Sequence, residues 1–195
     1  MDLSPRAQER LERIGALSDA EQQRIRRERE VEAVMSPYFL GDLSTEELWQ
    51  QIKSLAATQG PDVVKLAQER IVETLRLQMS DDDFEGRKST LLALETLKDS
   101  ARYSTLESLL SSIVSLRERY NQVKQQALEQ AREQMEGQAR AAAEQARRQG
   151  MVVDTASTIE ASIKSSAEWQ SFITRHEAAA QQTLDDYLSR LKAML

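Results

Sequence analysis

The sequence predicts an all-α protein: a small antiparallel helical bundle extended by a long two-helix antiparallel coiled-coil hairpin. Three observations carry that expectation. Aromatic residues are 5% and Pro only 3 of 195 residues, so the chain is poor both in large core formers and in helix breakers. Ser/Thr followed three residues later by Glu recurs, which is the start signal of a capped helix. And Ser104–Gly150 runs without proline through Ala, Leu, Gln, Glu and Arg, all strong helix formers.

The N-terminal part, residues 1–42, reads as a helical arm. Ser4 and Pro5 open a first short helix, with Ala7, Leu11 and Ile14 as a thin apolar stripe. Ser18 and Glu21 form a capping box that starts a second helix, expected to reach Met35. Ser36-Pro37 then predicts a break. Arg24, Arg26, Arg27 and Arg29 interleave with Glu21, Glu28, Glu30 and Glu32, a pattern of i,i+4 pairs on a solvated face rather than a phosphate patch. The arm reads as an appendage able to order on a partner. Tyr38, Phe39 and Leu40 cluster beside the expected break, either plugging the arm onto the following helices or offering a docking spot.

Residues 43–123 read as the bundle. Ser44 and Glu47 form a capping box, with Leu43 and Leu48 as its hydrophobic staple. That helix turns Leu48, Trp49, Ile52, Leu55 and Ala56 inward. Gly60-Pro61 ends it and opens the next, which carries Val63, Val64, Ala67, Ile71, Leu75 and Met79. Ser80 opens a further helix holding Phe84, Leu91, Leu92, Leu94, Leu97 and Ala101. Short connections make such helices antiparallel neighbours.

The long stretch begins with Ser104 and Glu107 as a capping box and stops at Gly150. At about 1.5 Å per residue it makes a rod of about 67 Å. Leu106, Leu109, Ile113, Leu116, Tyr120, Val123 and Ala127 alternate three and four apart, the seam of a left-handed coiled coil. Beyond Lys124 the seam is Ala131, Met135, Ala139, Ala142 and Ala146, small residues that bury little area. Residues 124–195 thus read as the distal hairpin and the returning helix. That helix is capped by Asp154 or Ser157 and lined by Ile159, Ile163, Ala167, Ile173, His176, Ala180, Leu184, Tyr187, Leu191 and Met194. Met151, Val152 and Val153 make an apolar turn at the tip. The composition of the distal rod is similar to that of the stalk subunits of rotary ATPases and of other helical-hairpin adaptors.

Chemistry is sparse. The chain has no Cys, so disulfides and thiolate chemistry are excluded. His176 is the single histidine, and the residue three before it is Ile173 rather than Glu, so the bundle-type metal motif is missing. Asp81, Asp82 and Asp83 suit a helix N-terminus and lack the alternate spacing of a calcium loop. No cofactor and no enzymatic activity are expected. The net charge of −6 with mixed signs argues against a nucleic-acid binder, which needs clustered positive charge. No secretory leader and no membrane span are evident, so a cytoplasmic location is expected.

The expected function is that of a non-enzymatic interaction, scaffold or adaptor protein, binding a protein partner or self-associating through the hairpin. The candidate partner-binding residues are Met151, Val152, Val153, Tyr38 and Phe39. The alternatives are nucleic-acid association through Arg-rich helix faces, and a metal or enzymatic site centred on His176.

Overall fold

A computed structural model describes residues 19–99, 102–148 and 156–195, with side chains over 20–99, 102–137 and 159–195. All regular structure among these residues is α-helical. The chain divides into two compact units. The first holds the described residues up to Leu75, Met79–Glu107 and Lys192–Leu195. The second holds Arg76–Gln78 and Ser108–Leu191. The sequence-based boundary at Val123 therefore falls sixteen residues past the structural one at Glu107, and Lys192–Leu195 joins the first unit.

In the first unit, α1 (Asp19–Leu40) packs on α2 (Thr45–Gln59) and on α3 (Asp62–Thr74). α4 (Asp81–Glu95) packs on both α2 and α3. The core is aliphatic: Met35, Leu48, Ile52, Val64, Ile71, Leu75, Leu91 and Leu94 are fully enclosed, with Phe84 the one large aromatic among them. The described part of the arm is thus an integral member of this unit. Its Val31 and Met35 are buried in the core, each worth about 1.5–3 kcal/mol of burial.

α1 also runs through Ser36-Pro37, where a break is expected, and ends at Leu40. Pro37 falls in the last turn, where its missing N–H removes a single backbone bond. The stop comes from Gly41. Its φ of +84° admits the left-handed turn, the Gly41 N–H donates to Tyr38 O at 3.1 Å, and the Asp42 N–H donates to Pro37 O at 3.0 Å. These two bonds are a Schellman cap. Residues 1–18, with the Ser18 cap, lie outside the described residues.

The start of α2 follows the sequence. Ser44 Oγ accepts the Glu47 N–H at 3.3 Å, and Glu47 Oε2 accepts the Ser44 N–H at 2.8 Å. The Ser44 hydroxyl, donating to Glu47 Oε2 at 2.7 Å, and then the Ser44 N–H hold the Glu47 carboxyl below its ordinary value. Two helices stop earlier than expected. α3 ends at Thr74, where Leu75 turns extended with ψ 130°. α4 ends at Glu95 in a tight turn closed by bonds from Thr96, Leu97 and Lys98 back to Ala93, Leu94 and Glu95. Ser80 caps α4 by accepting the Asp83 N–H at 3.1 Å.

In the second unit, α5 (Tyr103–Arg148) buries Leu110, Ile113, Arg117 and Tyr120. The steps are three and four as expected, but Leu110 and Arg117 occupy seam positions given above to Leu109 and Leu116, which are half-buried. Arg117 is tolerated there because its Nε donates to Leu77 O at 3.3 Å. Further along, Ala127, Leu128, Ala131 and Met135 are half-buried around Ile159, Ile163 and Trp169.

The returning helix is two helices, α6 (Ala156–Ser165) and α7 (Ala167–Met194), broken at Ser166. The Ser166 N–H and Oγ both turn back on Ile163 O, at 3.0 and 2.8 Å. Ser166 Oγ also accepts the Trp169 N–H at 3.1 Å. One serine therefore closes one helix and caps the next. The break shifts the apolar phase: Ala167, expected on the seam, is exposed, and Trp169 takes its place in the cluster. Met151, Val152, Val153 and Asp154 lie outside the described residues, and Ser157 falls inside α6 rather than capping it.

Candidate functional site

An open cleft of about 420 Å³ lies in the first unit, between the end of α1, the Gly41–Leu43 turn, the start of α2 and the first turns of α4. Tyr38, Phe39 and Leu40 form one side, and Asp82, Asp83 and Arg87 the other.

Tyr38 is fixed by hydrogen bonds. Thr90 Oγ1 lies 2.9 Å from Gly86 O, 2.8 Å from Tyr38 Oη and 2.8 Å from Thr45 Oγ1. A carbonyl only accepts, so the single Thr90 hydroxyl hydrogen goes to Gly86, and Thr90 accepts from both Tyr38 and Thr45. This bond set ties α1, α2 and α4 together, with Tyr38 and Thr45 on the lining of the cleft. Phe39 lies with its ring centroid 5.5 Å from that of Tyr38, and the Arg87 guanidinium sits 5.5 Å over its face, within cation–π range. Leu40 is different: it is 75% exposed. The aromatic pair thus serves as a fastened wall, and the neighbouring leucine is the side chain presented to solvent.

A second polar cluster is enclosed in the same unit. Gln68 is fully buried and Glu95 nearly so. Gln68 Nε2 donates to Leu91 O at 3.2 Å and to Glu95 Oε2 at 2.9 Å. Reversing the amide would aim its oxygen at two acceptors, so its orientation is fixed. Glu95 also takes the Arg102 N–H at 2.8 Å and pairs with Lys98 at 2.9 Å. Burial pushes the Glu95 carboxyl up, but these hydrogen bonds and the Lys98 charge outweigh it and leave the group below its ordinary value. The cluster gathers Gln68, Lys98 and the Arg102 N–H on one carboxylate. Neither residue stands out by type in the sequence. Both do stand on apolar faces, Gln68 four after Val64 and Glu95 four after Leu91, and that phase was the signal available.

In the second unit, His176 is sandwiched. Its ring stacks at 4.9 Å on Tyr120 and at 5.5 Å on Phe172, nearly parallel to both. His176 Nε2 lies 3.1 Å from Tyr120 O, a carbonyl, so Nε2 carries the hydrogen. Gln78 donates to Glu177 at 2.6 Å beside the stack. Burial, then the Glu177 charge, raise the Tyr120 hydroxyl above its ordinary value. Among the described residues no group of three or more His, Asp or Glu is placed to hold a metal ion.

Three of the four arginines singled out on α1 are ion-paired. Arg24 meets Glu28 at 3.6 Å, Arg26 meets Glu30 at 2.9 Å, and Arg27 reaches Asp62 at 2.7 Å. Gln59 also hydrogen-bonds Glu30, and Arg26, Glu30 and Gln59, so joined, border an open space of about 500 Å³. The side chains of Arg140, Arg147 and Arg148 lie outside the described residues. No helix among the described residues is long and apolar enough to cross a membrane.

The model of a family of unknown function, DUF6657, matches residues 49–195. The chain belongs to that family. The match takes in Asp82 to Arg87, Glu95 and His176, and begins after the Tyr38–Leu43 side of the cleft. No curated protein and no solved structure matches the chain.

Proposed function

We propose that this DUF6657 member is a non-enzymatic interaction protein, an adaptor or scaffold, and that the cleft at the end of α1 receives a segment of a partner protein. The exposed Leu40 carries this reading. A leucine left in water beside an open cleft forgoes about 1.5–3 kcal/mol of burial that a partner can recover. Single exposed apolar residues are ordinary on protein surfaces; this one is distinguished by its wall. Tyr38 and Phe39 are held by Thr90 and Arg87, so the surface beside Leu40 is organised before a partner arrives, which lowers the ordering cost of binding.

The test is affinity capture with the full chain, using Leu40→Ser as the matched control. Leu40 has few contacts to lose, so the thermal midpoint should stay unchanged. A partner retained by the wild-type chain and absent with Leu40→Ser supports the reading. Equal recovery by both chains contradicts it.

A further inference from the structure

We draw no further inference here: the strongest candidate, the bare stretch of α4 at Gly86 where it lines the cleft beside Leu40, belongs to the site already described, and nothing in the structure shows what covers it.

Discussion

The Glu95 carboxylate accepts the backbone N–H of Arg102 at 2.8 Å, so the residue that ends α4 also satisfies the chain just ahead of α5. The same carboxylate holds Gln68 of α3 and Lys98 of the connecting turn. Three segments of the first unit thus meet on one buried charge. Removing it with Glu95→Ala leaves one of the two Gln68 amide hydrogens and the Arg102 N–H without an acceptor, while Gln68 keeps its bond to Leu91 O. The expected cost is about 3 kcal/mol, or roughly 6–12 °C in thermal midpoint. Glu95→Gln keeps one acceptor oxygen and should lose about half as much. Circular dichroism melts of the two variants check the order.

Acid should loosen the first unit through the same group. The folded protein holds the Glu95 proton less tightly than the unfolded chain, because hydrogen bonds and Lys98 favour the carboxylate. The stability this contributes is present at neutral pH. It is lost as the pH falls from the ordinary carboxylate value of 4.5 through the lowered folded value. Glu73 adds to the same trend. Its partial burial raises the carboxyl, but Lys192 and Arg70 outweigh that and leave it lowered, and its exposure to solvent makes the share small. Urea midpoints between neutral pH and pH about 3 should therefore fall less steeply in Glu95→Gln than in the wild-type chain. Parallel curves would remove Glu95 from the explanation.

Ser166 is the hinge between α6 and α7, and its hydroxyl serves both helix ends. Ser166→Ala should cost about 1 kcal/mol, the usual price of a lost N-cap. The loss should appear as faster amide exchange around Ser166 to Trp169 rather than as a change in helix content. Ser165→Ala is the control: Ser165 is exposed and its hydroxyl bonds only within α6, to Ser162 O at 3.1 Å.

His176 should prove a packing residue. His176→Ala loses two ring contacts and the bond to Tyr120 O, and is expected to cost about 2–3 kcal/mol. His176→Phe keeps the stack and should recover more than half of that. A variant ranking with Phe as damaging as Ala would mean that the imidazole does something the stack does not.

Much of this fold is legible in the sequence because it is written in local signals. The Ser44–Glu47 box and the Ser80 cap need only a few neighbouring residues, and both are found as expected. The departures come where distant residues decide. Pro37 signals a break, yet burial of Val31 and Met35 carries α1 past it to the glycine at 41. Ser104 signals a start, yet α5 begins one residue earlier, next to the N–H that Glu95 binds from seven residues away. The Ser166 break was missed because the residue that caps, Ser166, has Trp169 rather than Glu three places on and relies on its hydroxyl alone, although Ser165 and Glu168 beside it carry the capping-box spacing. The candidate site was half legible. The Tyr38–Phe39–Leu40 cluster is conspicuous in a chain with so few aromatics. Which member is fastened and which is free depends on Thr90, fifty-two residues on from Tyr38.

The central claim is that Leu40 is covered by a partner, and a photo-crosslinking amino acid placed at that position tests it most directly. The control position is Ala57, exposed on the same unit and about 18 Å from the start of α2 along its axis. The account predicts a single crosslinked species from position 40, none from position 57, and a crosslinked peptide that maps to one segment of another protein. Equal crosslinking from both positions, or none from position 40 in cells that express the chain at its natural level, would contradict it.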